Sequence, residues 1–81
     1  MVIVWDEAKR RMNVATHGFD FAALDEAFFD AAVVVSAKRR RFMAVGFRDA
    51  VAVAVVFAPL GTEGISVISM RRASRKERAQ L

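Results

Sequence analysis

The chain has 81 residues, none of them cysteine or tyrosine. Without cysteine there is no disulfide framework and no thiolate metal site, a pattern that fits a reducing compartment. Without tyrosine, no phenol can donate a proton. There is a single histidine, His17. With no cysteine beside it and no second nitrogen ligand, a metal-assisted reaction is poorly supported, and no metal or other cofactor is expected. No Gly-x-Ser-x-Gly turn is present, which argues against serine hydrolysis. Long hydrophobic runs are also missing. The longest, Ala50 to Leu60, is too short for a membrane helix, which needs about 20 residues. Only three apolar residues separate Met1 from Trp5 before charge begins, so the start does not read as a signal peptide. A cytoplasmic chain without membrane association is expected.

What remains is apolar and basic. Hydrophobic residues make up 56% of the chain, so it is not a disordered segment. Its length fits one domain, residues 1–81, with a thin core that often leans on a partner. The net charge is +4 and the pI about 10.7, but the charge is divided. Residues 1–37 carry three basic and six acidic side chains, while residues 38–81 carry ten basic and three acidic. The two halves therefore present surfaces suited to different partners, and the basic one suits nucleic acid.

Periodicity gives the elements. Val2 to Trp5 reads as a strand. Asp6 caps a helix that ends at Gly18, with Ala8, Met12 and Ala15 as its apolar stripe. Asp20 is expected to start a second helix, with Phe19 and Leu24 as a staple and Phe21, Leu24 and Phe28 buried. The β-branched run from Ala31 to Ala37 reads as a strand. Lys38 to Arg41 forms a cationic turn, and Arg41 to Phe47 the next strand. Ala50 to Ala58 is apolar throughout and reads as a strand that is either covered on both faces or central in the sheet. Ile65 to Met70 is the last strand and a candidate exposed edge for a partner. Trp5 and the phenylalanines Phe21, Phe28, Phe29, Phe42 and Phe57 read as core. The order β-α-α-β-β-β-β-α implies an α+β fold, a small antiparallel sheet with helices packed on it.

The C-terminal stretch concentrates the chemistry. Arg71 and Arg72 follow the last strand directly. Ser74 and Glu77 then have capping-box spacing for a short helix that carries Arg75, Lys76 and Arg78. Arginine suits phosphate because its planar fork binds two oxygens and keeps its charge. Alternation along a strand sends Arg71 and Arg72 to opposite faces. A solvated basic tail is the plain alternative.

Trp5-Asp6, Lys9, Asn13, His17-Gly18 and Phe21, then Gly46, then Ile65 with Ile68-Ser69-x-Arg71-Arg72-Ala73 and Glu77, together resemble the BrnT family of toxins from BrnT/BrnA type II toxin–antitoxin modules. The sequence departs from that pattern at Thr16, at Met70 and in the segment from Lys38 to Arg41. The resemblance implies a RelE-like fold and an endoribonuclease that inhibits translation. It also implies a cognate BrnA-like antitoxin with a ribbon-helix-helix domain, and operator DNA contact only through that complex. Metal-independent RNA cleavage needs a base for the 2′-hydroxyl, cations for the phosphate and an acid for the leaving 5′-oxygen. Lys9, His17, Arg71 and Arg72 are the catalytic candidates, and Arg41, Arg48 and Arg75 are the candidates for holding RNA. Histidine titrates near neutrality, so His17 is either a general acid or base or a helix-end residue. A lysine among arginines gives up its proton more readily, so Lys9 is either a proton-transfer group or an exposed cation. The alternative function is a non-catalytic nucleic-acid-binding module, or an inactive toxin acting mainly as an antitoxin partner.

Overall fold

The structure, a computed structural model, describes residues 1–81. Its elements run β1 (Val2–Trp5), α1 (Glu7–His17), a 3₁₀ turn (Phe21–Ala23), α2 (Glu26–Ala31), β2 (Val33–Ala37), β3 (Arg41–Arg48), β4 (Val51–Leu60), β5 (Gly64–Arg72) and α3 (Arg75–Arg78). The five strands form one sheet in the order β1-β5-β4-β3-β2. From β2 to β5 every neighbour is antiparallel, while β1 joins β5 in parallel. The α+β architecture and element order match the sequence expectation, with β1 as a parallel addition to the meander. No helix is long and apolar enough to cross a membrane.

β4 is central, as its unbroken apolar run requires: Ala52, Val53, Ala54 and Val55 are all buried. One face of the sheet holds the main core. There Phe21, Leu24, Phe28 and Phe29 pack against Ala44, Val53, Val55, Phe57, Ile65, Val67 and Met70. Trp5 packs at this core's margin, edge-on to Phe21 with ring centroids 6.4 Å apart. Gly46 lets α2 sit close on β3. A Cβ there would lie 3.1 Å from Phe28 Cε1 and 3.3 Å from the Ala32 Cβ. The opposite face is covered in part by α3, which packs over β3 and β4.

Three expectations need correction. The second helix does not start at Asp20. Asp20 caps the 3₁₀ turn, and Asp25 caps α2 by accepting from the Phe28 amide. Each acid satisfies amides that have no partner within a helix, so two short elements replace one. The stripe predicted for α1 is also wrong, because Ala8, Met12 and Ala15 are all exposed. The one buried residue of α1 is Asn13. Finally, β5 is not an exposed edge, since it lies between β1 and β4.

The Asn13 result has a direct physical cause. β1 pairs with β5 only from Gly64 to Val67, so the backbone of β5 beyond Val67 lacks a strand on that side. Asn13 fills the vacancy. Its Nδ2 donates to the Met70 carbonyl at 2.8 Å, and its Oδ1 accepts from the Met70 amide at 3.0 Å. Nδ2 also donates to the Phe19 carbonyl at 2.8 Å. A carboxamide carries the same donor and acceptor as a peptide group, so Asn13 acts as one residue of a missing strand. Buried backbone groups must be paired, and here a helix side chain pairs them.

Candidate active site

The end of β5 is fixed from two sides. Asn13 holds the backbone at Met70. One residue later, Arg71 is held by its side chain. Its Nη1 donates to Glu77 Oε1 at 2.7 Å and its Nη2 to Oε2 at 2.9 Å. The same Glu77 Oε1 accepts from the Ser74 amide at 2.8 Å, and the Ser74 hydroxyl accepts from the Glu77 amide at 3.1 Å. The expected capping box is therefore present, and its carboxylate has a second task as the partner of Arg71. That arrangement lowers the Glu77 pKa to about 2, first through the hydrogen bonds from Arg71. It raises the Arg71 pKa above its ordinary value, again chiefly through Glu77.

Glu77 occupies the end of the guanidinium formed by Nη1 and Nη2. Nη1 also donates to the Arg72 carbonyl at 3.2 Å. The side edge, made by Nε and Nη2, meets no protein oxygen. Its nearest acceptor is the soft Met43 Sδ, 3.9 Å from Nη2. Arginine has five N–H donors in a rigid fork, so one edge can be anchored while the other receives a ligand. The side chain as a whole is 38% exposed.

Register assigns each cation to a face. Arg71 pairs with Ala54, and Ala54 with Val45. Residues directly opposite one another share a face, and alternate residues along a strand do too. Arg41 therefore lies on the same face as Arg71, and this is the face partly covered by α3, the helix that carries the exposed Arg75. Arg72 pairs with Val53, which pairs with Gly46, so Arg72 and Arg48 lie on the α2 face. Arg72 is exposed, and Arg48 is half-buried with an unpaired Nε. The RNA-holding candidates thus divide. Arg41 and Arg75 lie with Arg71, and Arg48 does not.

Lys9 and His17 both line an open groove of about 330 Å³ between α1 and β5, with Met12, Asn13, Thr16 and Ile68. They stand one helical turn to either side of Asn13, about 6 Å along the helix axis in each direction. Asn13 is bonded to the residue before Arg71. Ile68 is the extra residue of a bulge in β5, where the register with β4 shifts at Val56 and Phe57. Bulges re-aim side chains and interrupt pairing, and this one lies at the floor of the groove.

Sequence reasoning missed two residues. Asn13 stood in the family pattern without a role. A polar residue off the predicted apolar stripe reads as solvent-facing until the short length of β1 is known. Glu77 was read as a cap only, and its pairing with Arg71 depends on α3 folding back over the sheet.

Residues 5–77 match the family described as ribonuclease toxin, BrnT, of type II toxin–antitoxin system. The crystal structure of the Brucella abortus ribonuclease toxin BrnT is similar to this chain at 50% identity with a TM-score of 0.87. The similarity covers 93% of this chain and 99% of that one. No curated protein sequence matches the chain. The match over nearly the whole length, in sequence and in fold, places the chain in the BrnT family of ribonuclease toxins from type II toxin–antitoxin systems.

Proposed function

We propose that the chain cleaves RNA without a metal ion, at a phosphate received by the free edge of Arg71. The observation that carries this reading is the divided guanidinium: Glu77 anchors one edge at 2.7 and 2.9 Å, and the other meets only the soft sulfur of Met43. A fixed cation needs no rearrangement as charge builds on the phosphate, which is where electrostatic catalysis gains most.

In this reading Lys9 and His17 move protons from their positions beside Asn13. One takes the proton of the 2′-hydroxyl, whose oxygen then bonds to the adjacent phosphorus. The other gives a proton to the 5′-oxygen as its bond to phosphorus breaks. The products are a 2′,3′-cyclic phosphate and a free 5′-hydroxyl. Arg41 and Arg75 hold the flanking backbone on the Arg71 face. Arg72 and Arg48 serve strands or partners that approach the other face. Cleavage of cellular RNA by this route stops translation in the cytoplasm. The partner that neutralises it is a BrnA-like antitoxin whose ribbon-helix-helix domain carries the complex to operator DNA.

The test is incubation of a structured RNA with the purified chain in EDTA, mapped by primer extension. Discrete cuts are expected, with at least a hundredfold loss in Arg71→Ala and a clear loss in both Lys9→Ala and His17→Ala, each still folded by circular dichroism. RNA that is bound in a salt-dependent way but never cut would instead favour a binding module.

A further inference from the structure

Both lateral strands of the sheet, β1 and β2, are uncharged and unpaired on their outer side. β1 is four residues long, and the β5 edge beyond it is closed by Asn13. β2, at the other margin, is open. Its sequence, Val33-Val34-Val35-Ser36-Ala37, contains no charge, proline or glycine. Natural edge strands usually carry one of these to block pairing with another chain. Val34 is 47% exposed, so the edge is apolar as well as unpaired.

Charge flanks this edge asymmetrically. Asp30 is exposed near its start, in the last turn of α2. Lys38, Arg39 and Arg40 are exposed in the turn at its end. That turn carries backbone strain. Arg39 and Arg40 have φ of 62° and 60°, as both central residues of a type I′ hairpin turn do. Asn-Gly or Asp-Gly usually fills those positions, and a left-handed conformation costs a residue with a β-carbon about 1–2 kcal/mol. The chain tolerates this cost twice while keeping two cations at the tip.

We infer that β2 pairs antiparallel with β2 of a second copy of this chain, joining two five-stranded sheets into one. A two-fold axis perpendicular to the sheet must match residues of the same face. Centred on Val35, it sets Val33 opposite Ala37 and Val34 opposite Ser36. The acidic start of each edge then meets the cationic end of the other, with Asp30 brought to the Arg39–Arg40 turn at both ends. An antiparallel pairing of this edge with itself is thus complementary in charge, whereas a parallel one would set like charges together. A five-residue strand makes a small interface, so the dimer is weak.

Sedimentation velocity of the purified full chain over a concentration series tests this without reference to cleavage. A monomer–dimer equilibrium is expected, abolished by Val34→Lys, whose fold is checked by circular dichroism. Asp30→Arg should weaken the dimer at least about tenfold, because two symmetric pairs turn from attractive to repulsive. Adding Arg40→Asp in the same chain should restore most of that loss. A chain that stays monomeric to millimolar concentration would overturn the inference. So would a dimer indifferent to Val34→Lys, or a monomer whose antitoxin complex alone is lost in that variant.

Discussion

Two attachments hold the end of β5, and they differ in kind. Asn13 grips the backbone of Met70 in the interior, where every donor and acceptor must be matched. Glu77 grips the side chain of Arg71 near the surface, where water competes. The first is a structural bond that sets where the strand runs. The second sets how a charged group is aimed. The comparison teaches that position and orientation at this site come from separate devices, one on each neighbouring helix, and that they should fail differently.

The largest expected effect is on the interior device. Asn13→Leu keeps the side chain's size but strands the Met70 amide and carbonyl without partners. Leaving buried polar groups unpaired costs about 1–3 kcal/mol each. Urea denaturation should therefore show a loss of about 2–5 kcal/mol. A loss under 1 kcal/mol would mean that water replaces the carboxamide, and that the interior grip is not what positions β5.

The surface device should cost less in stability and show more in pH dependence. Glu77 has a folded pKa of about 2, against 4.5 without its partners. Its folded value is depressed, so its contribution is present above pH 4.5 and fades as the pH falls from there towards 2. Glu77→Gln should remove that part of the acid sensitivity, seen as a shallower fall in melting temperature between pH 5 and pH 2.5. An unchanged slope would locate the acid-labile charge elsewhere. Ser74→Ala removes only the cap hydroxyl and should cost about 1 kcal/mol, with cleavage of RNA largely retained because Arg71 keeps its carboxylate.

These two devices also mark how far the sequence could be read. The capping box was legible because both its residues lie within four positions of each other, and local spacing is enough to predict it. The order of elements along the chain, the buried β4 and the break at Gly18 were legible for the same reason. Asn13 was not, because its partners lie 57 residues away and its burial depends on β1 stopping at Trp5. The second helix was misplaced because Asp20 and Asp25 are both good caps, and spacing alone does not say that each starts its own turn. Of the cations singled out, Lys9 and His17 share one groove, and Arg71 lies next to the residue bound by Asn13. The opposite faces of Arg71 and Arg72 followed from alternation along the strand, whereas the separation of Arg48 from Arg41 and Arg71 became visible only with the register.

The most direct test of the central claim compares single-turnover RNA cleavage in EDTA by Arg71→Ala and by the double variant Arg71→Ala/Glu77→Ala. The single variant leaves an unpaired carboxylate, and the double variant removes it. If Arg71 receives the phosphate, both should be folded and both should lose at least a hundredfold in rate. If Arg71 serves only to hold Glu77 and α3 in place, the double variant should recover most of the cleavage, and that recovery would contradict the account.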